Sequence, residues 1–207
     1  MELLDVYDEN GKFLGKFDRN VVHREAMWHN TVHCWLFDND GSIYFQMRKG
    51  EGLYTTASGH IKAGETIKEG FKREIFEEIG LNVSTDSAIP VEINKFSIDL
   101  TRKDGSLFRD RAFAHIYLYN LKEDYSNLDF DEHEIDGLVK LNAQDVLDLF
   151  NEKCKNIEGL AILQSDNKHI KTMQNTYNID SFLINEGETA IGKYGKILNK
   201  VVEITKN

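Results

Sequence analysis

Gly59-His60-Ile61-Lys62-Ala63-Gly64-Glu65, followed after seven residues by Arg73-Glu74-Ile75-Phe76-Glu77-Glu78-Ile79-Gly80-Leu81, is the stretch on which the reading of this chain turns. Ile67, Phe71, Ile75 and Ile79 recur every four residues. At about 100° per residue they form one slowly drifting apolar stripe, which predicts a helix from about Glu65 to Ile79 that packs on a sheet. Gly80 tolerates left-handed backbone and makes a natural stop. With Glu74 set at zero, Glu78 falls at about 40° and Glu77 at about −60°, while the stripe spans about 20° to 140°. Glu74, Glu77 and Glu78 therefore flank the buried face and project from one patch.

Like charges so close cost an isolated helix a few tenths of a kcal/mol per pair, so the patch asks for a cation. Oxygen-only ligands suit Mg²⁺ or Mn²⁺. Three glutamates alone would read as a solvated helix face, and Arg73 with Glu77 as a helix ion pair of about 0.3–0.5 kcal/mol. The joint pattern says more. Gly59, Glu65, Arg73, Glu74, Ile75, Glu77, Glu78, Gly80 and Leu81 fill every position of G-x5-E-x7-R-E-U-x-E-E-x-G-U within 23 residues. The stretch thereby resembles the box of the Nudix superfamily.

That resemblance implies an α/β (α+β) fold, an α/β/α sandwich with a mixed sheet in which the box is a loop-helix-loop. It implies hydrolysis of a nucleoside diphosphate linked to a further moiety. By the same resemblance Glu74, Glu77 and Glu78 bind the catalytic divalent metal, Mg²⁺ or Mn²⁺, with the Gly59 carbonyl as a further ligand. Arg73 orients a carboxylate, and Glu65 and Gly80 are structural members of the box. Such a metal neutralises charge on the phosphates and acidifies a bound water. Glu74 and Glu78 are both candidates for the general base, as are Glu132 and Glu134 outside the box. One local departure is the pair Gly70-Phe71, where the family usually has small residues. A mid-helix glycine costs about 1 kcal/mol relative to alanine, so a close backbone contact at Gly70 is expected.

Working outward, Leu4 and Val6, the turn Asp8-Glu9-Asn10-Gly11, and Phe13 and Phe17 predict an N-terminal β-hairpin. Thr31–Phe37 and Ser42–Arg48 read as paired strands around Asp38-Asn39-Asp40-Gly41. Gly50, Gly52, Gly59 and Gly64 mark a loop before the helix. Ile93–Leu100 and Ala112–Leu121 read as strands around Arg102-Lys103-Asp104-Gly105, and Ala143–Phe150 as a helix. A terminal helix over Gly195–Ile204 is only weakly signalled because of its β-branched residues. The expected organisation is a hairpin extension over 1–28, a catalytic domain over 29–150 and a C-terminal extension over 151–207 packed on it.

Composition sets the boundaries. With 25 Lys plus Arg against 35 Asp plus Glu, the formal charge is −10. That argues against a nucleic-acid polymer, whose binding draws on Lys and Arg displacing counterions. An anionic ligand must be met locally, by a metal or a few placed cations. At 41% hydrophobic the chain can bury a core. No apolar run reaches the roughly 18 residues of a bilayer span, so no membrane partner is expected. The N-terminus carries no signal-peptide pattern, and Cys34 and Cys154 lack disulfide or zinc spacing. A cytoplasmic protein acting on a small phosphorylated substrate is expected, and a homodimer is left open.

A finer resemblance lies outside the box. Leu4-Asp5-Val6-Tyr7-Asp8, Val22-His23-Arg24, Trp28-His29-Asn30-Thr31-Val32-His33 and Gly59-His60 are similar to the Nudix branch of type I isopentenyl-diphosphate isomerases and their hydrolase relatives. It covers roughly residues 1–150. In that branch histidines matching His29, His60 and approximately His23 bind a metal, a cysteine before the Gly-His pair moves a proton, and two later glutamates complete the site. Here the cysteine position is Ser58, and of the acids only Asp110 in Phe108-Arg109-Asp110-Arg111 remains. A serine hydroxyl is too weak an acid to replace a thiol at neutral pH. The complete box also favours hydrolysis over isomerisation, and over a ligand-sensing module without activity. Arg48 and Lys49 end a strand before the glycine loop, placed either to contact a diphosphate with His60 or to stand as a solvated strand end. Trp28, Tyr44 and Tyr54 are candidates for stacking, though core packing accounts for most such aromatics.

Overall fold

The computed structural model describes residues 2–48, 52–101, 105, 107–122, 125–131, 133, 135–165, 168–185 and 188–206. In chain order these form β1 (Leu3–Tyr7), β2 (Phe13–Asp18), α1 (Arg19–Arg24), β3 (Trp28–Phe37), β4 (Ser42–Arg48), β5 (Gly52–Tyr54) and β6 (Ala57–His60). There follow α2 (Ile67–Ile79), β7 (Ile89–Thr101), β8 (Leu107–Asn120), β9 (Ile135–Asn142), α3 (Ala143–Phe150), β10 (Ile157–Gln164), β11 (Ile170–Tyr177) and α4 (Ala190–Thr205).

Strand β3 is the spine of one mixed sheet. Along all ten residues it pairs in parallel with β8. With that edge taken, its other edge changes partner along its length, from β1 at Trp28 and His29 to β6 at Thr31–Cys34 and β4 at Leu36 and Phe37. From β4 the sheet continues antiparallel through β9, β10 and β11. Alternation along β3 then divides the core. Val32, Cys34 and Leu36 face α2, whose Phe71, Ile75 and Ile79 are buried against them. Trp35 and Phe37 face α3 and α4, with Val146, Leu147, Tyr194, Leu198 and Val201. The result is an α/β/α sandwich with a mixed sheet, as the box implies.

Helix α2 carries the expected stripe, and Phe71, Ile75 and Ile79 are at most 2% exposed. Each such side chain contributes about 1.5–3 kcal/mol by burial. The helix begins at Ile67, later than its periodicity alone suggests, because Thr66 caps it. The Thr66 side chain accepts from Glu69 N, and the Glu69 carboxylate accepts from Thr66 N. Gly80 ends it in left-handed backbone, with φ of 70°. At Gly70 the expected close contact exists. A Cβ there would lie 2.3 Å from Ile61 Cδ1 and 3.2 Å from Glu65 Oε2. Gly70→Ala is therefore expected to destabilise. Overpacking by about 1–3 kcal/mol outweighs the roughly 1 kcal/mol gained in helix propensity. A Tm lowered by a few degrees in thermal denaturation is the expected result, and a raised Tm would contradict it.

Strand β7 starts four residues before Ile93 and runs through Pro90. Among the described residues it pairs with β8 only, so the missing N–H falls at an edge, and a register shift at Pro90/Glu92 absorbs it. The C-terminal residues reach deeper than their weak local signal suggests. Strands β10 and β11 extend the same sheet, and α4 begins at Ala190 under a Thr189 cap and enters the core.

Candidate active site

Strand β6 brings Gly59 beside α2. It pairs with Val32 of β3, and a Cβ on it would lie 2.2–2.4 Å from the Glu74 carboxyl atoms. Only glycine lets that carboxylate rest on the backbone. Arg73, next in sequence, holds four partners. Its Nε and Nη2 donate to the two Glu65 oxygens, both at 2.8 Å, and Nη2 also donates to the His60 carbonyl at 2.8 Å. Nη1 bridges Glu74 Oε1 and Glu77 Oε2, the latter at 2.9 Å. Glu78 approaches from the buried side. It is 6% exposed, and its Oε2 accepts from Gln46 Nε2 at 3.0 Å and Ser58 N at 3.1 Å. Glu77 is the outer member, half exposed, with Lys62 Nζ at 3.5 Å.

The electrostatics follow from these contacts. Burial pushes the Glu74 carboxyl up despite the Arg73 hydrogen bond. Burial also opposes ionisation of Glu65, but its bonds from Arg73 and the Lys62 N–H hold it below the usual carboxylate range. The Glu65 bonds, foremost, raise Arg73 further. The patch is thus a set of carboxylates of graded basicity around one fixed guanidinium.

Gly59, Arg73, Glu74, Glu77 and Glu78 line a groove of about 1190 Å³ that also includes Arg48 and His60. Lys16, Arg19 and Lys62 stand on its walls, so the groove gathers cations although the chain is acidic. The Arg48 guanidinium lies 5.6 Å from the Tyr54 ring centre. Lys49, Glu132 and Glu134 lie outside the described residues.

A second constellation adjoins the groove, which its members His60 and Asp110 also line. His23 of α1, His29 of β3 and His60 of β6 bring ligand atoms within 4.8 Å of one another. His29 Nδ1 lies 3.0 Å from the Met27 carbonyl, and His23 Nδ1 lies 3.2 Å from that of Arg109. Each Nδ1 therefore carries the proton, which leaves both Nε2 atoms as acceptors. His23 Nε2 meets His60 Nε2 at 3.1 Å. His29 Nε2 instead faces Asp110 Oδ1 at 3.4 Å, and neither buried atom has a hydrogen-bond partner among the described residues. Burial lowers the pKa of all three histidines and raises that of Asp110. Two lone pairs facing each other in a buried site fit a shared cation.

The structure thus brings Gly59, His60, Arg73, Glu74, Glu77, Glu78 and Arg48 to one groove, with Glu65 bonded to Arg73 and Gly80 terminating the helix. Sequence reasoning missed Gln46 and Ser58 N as the partners of Glu78. A glutamine amid the buried apolar residues of β4 was the available signal, since a buried amide needs a partner. It also missed His33 as a half-buried groove residue. Burial, then the charges of Lys193 and Arg48, push its pKa down to about 4. An unfolded chain takes up protons below about pH 6.5 that the native state refuses. Stability is then complete above the unfolded pKa and lost as pH falls toward 4. For His33 alone the drop from 6.5 to about 4 is worth roughly 3 kcal/mol. A Tm falling steeply over that window is expected, less steeply in His33→Gln, and a flat profile would contradict this.

Comparison with known proteins gives the family of the chain. A family profile described as NUDIX domain matches residues 27–157. An uncharacterized Nudix hydrolase of Clostridium acetobutylicum is 30% identical over 193 residues, 88% of this chain and 90% of its own length. The isopentenyl-diphosphate Delta-isomerase of Cutibacterium acnes is 26% identical over 149 residues, 69% of this chain and 74% of its own. The crystal structure of DR0079 from Deinococcus radiodurans matches with a TM-score of 0.53 over 73% of this chain and 89% of that protein, at 21% identity, a likeness of fold. The complete box, its three-carboxylate patch on α2 and these relatives together place the chain in the Nudix family, as a hydrolase of pyrophosphate bonds.

Proposed function

We propose that the chain cleaves the diphosphate linkage of a small nucleoside or organic diphosphate, with Mg²⁺ or Mn²⁺ held by Glu74, Glu77, Glu78 and the Gly59 carbonyl. The observation that carries this reading is the Glu74 carboxylate seated where a Gly59 Cβ would be, beside Glu77 on a shared Arg73 nitrogen. An oxygen-only donor set with a cradle that any side chain would fill fits a hard divalent cation. When bound, such a metal neutralises phosphate charge and acidifies water.

The chain's own groups do the rest. Arg73 fixes Glu74, and Gln46 and Ser58 N fix Glu78, so neither carboxylate reorients during the reaction. Burial raises the pKa of Glu74, which suits that carboxylate to accept a proton. Arg48, Lys49 and His60 contact the phosphates. The catalytic residues lie in 29–150, and we read 1–28 and 151–207 as completing that domain. No helix among the described residues is long and apolar enough to cross a membrane, and the reading assigns the chain a small phosphorylated partner.

The orphaned pair of His29 Nε2 and Asp110 Oδ1 supports a second metal position on His23, His29 and His60. It does not bring isomerisation with it, because Ser58 supplies no thiol. A Mg²⁺-dependent screen of nucleoside triphosphates, nucleoside diphosphate sugars, dinucleotides, thiamine diphosphate and isopentenyl diphosphate tests the reading, with Glu74→Gln and Glu78→Gln as controls. Phosphate-bearing products that need the metal and vanish in both variants are expected. Turnover that survives both sinks the mechanism, and a shifted double bond in isopentenyl diphosphate favours the isomerase.

A further inference from the structure

Along β3, His29, Thr31, His33 and Trp35 alternate onto one face of the sheet. In register beside them on β8 stand Ala112, Ala114 and Ile116, and beyond these on β7 stand Phe96 opposite Ala112 and Asn94 opposite Ala114. Two alanines side by side lower the floor of that face into a trough. It leads from the groove into a second cavity of about 270 Å³, and His33, Tyr54, Phe96 and Ile98 line both. The first turn of α4 closes the far end. There Lys193 is held by Glu188 at 3.0 Å, with its amino group 5.4 Å from the Tyr54 ring centre.

Resting on the hydrolase reading, we propose that this cavity is the subsite for the organic half of the substrate. It takes one ring system of nucleobase size bearing hydrogen-bond acceptors, not a short isoprenoid chain. Continuity with the groove fixes the position, since a diphosphate at Glu74 and Glu78 extends its substituent past His33. Size fixes the extent. Pockets for whole small ligands run to about 300–1,000 Å³, so this one takes only a part.

The walls fix the chemistry. The His33 ring lies 6.2 Å from those of Tyr54 and Phe96, both edge to face, which leaves aromatic surfaces for a planar guest. Trp35 lines the cavity, and its buried indole N–H has no partner among the described residues. Thr55 and Asn94 add further polar groups to the same walls. A hydrocarbon chain would dehydrate these groups without pairing them, whereas a heteroaromatic ring with acceptors can satisfy the indole N–H. Burial keeps His33 neutral at pH 7, so one of its ring nitrogens donates while the other accepts.

Calorimetric titration with product-like probes tests this without requiring turnover. The probes are the four nucleoside 5′-monophosphates, thiamine monophosphate, isopentenyl phosphate and inorganic phosphate. At least one ring-bearing probe is expected to bind about tenfold or more tighter than isopentenyl phosphate. Asn94→Trp fills the cavity from an exposed strand position that does not endanger folding, which a melting curve checks. It is expected to lower that affinity ratio by about tenfold. Equal binding of ring-bearing and isoprenoid probes overturns the proposal, as does a ratio unmoved by Asn94→Trp. Ring-selective binding without Mg²⁺-dependent hydrolysis of any diphosphate would sink the hydrolase reading and leave the subsite. Hydrolysis without ring preference would do the reverse.

Discussion

Glu78→Gln is expected to lower kcat by roughly 10²–10³-fold at saturating Mg²⁺, with little change in Tm. The two effects separate because of how the side chain is held. Its Oε2 accepts from Gln46 and Ser58 N, and an amide oxygen can accept from both, so the fold keeps its contacts. What disappears is one negative charge at a position only 6% exposed, where charge is weakly screened and cannot be replaced by solvent. Glu77→Gln should cost less. That side chain is half exposed and sits at the rim, so water can take over part of its role. Steady-state kinetics across a Mg²⁺ titration read both variants. A Glu78→Gln enzyme within about threefold of wild type would remove this carboxylate from the reaction.

Arg73→Ala is expected to destabilise the protein by about 3–5 kcal/mol, because it strips the counter-charge from partly buried carboxylates. Glu65 loses two 2.8 Å bonds, Glu74 and Glu77 lose their shared donor, and the His60 carbonyl loses its partner. The Glu65 and Glu74 side chains are 15% and 13% exposed, so water does not reach them freely. Arg73→Lys should restore charge but little geometry, since an ammonium lacks the planar fork that spans both Glu65 oxygens. Urea denaturation measures both variants. The expected order of stability is wild type, then lysine, then alanine, and an alanine variant within 1 kcal/mol of wild type would contradict this account of the clamp.

What could be read from the sequence depended on how local its causes were. Helix α2 was legible because its stripe, its stop at Gly80 and its carboxylate patch occupy one short segment and are fixed by helical geometry. The helix over Ala143–Phe150 and the N-terminal hairpin were legible for the same reason. A close contact at Gly70 was legible too, though its partner, Ile61, is set by the fold.

Strands β10 and β11 were not legible, although Glu158 and Leu160 alternate with the buried Ile157, Gly159 and Ala161, because their stability comes from pairing with β9 and with each other rather than from the segment itself. Helix α4 was half read. Its β-branched residues weaken the local signal, while its true start depends on the Thr189 cap and on burial of Tyr194. The trough was illegible, since it exists only once β8 lies parallel to β3 and sets Ala112 and Ala114 beside His29 and Thr31. The same is true of Lys193, more than a hundred residues from the box and brought to Tyr54 by tertiary packing alone.

The central claim is that water attacks a diphosphate at the carboxylates of α2, and isotope transfer tests it most directly. In H₂¹⁸O with Mg²⁺, hydrolysis of the best substrate from the screen should place one ¹⁸O in one of the two phosphate-bearing products. The label should disappear with chelator and fall with kcat in Glu78→Gln. Products free of ¹⁸O, or labelling that persists unchanged in Glu78→Gln, would contradict the account.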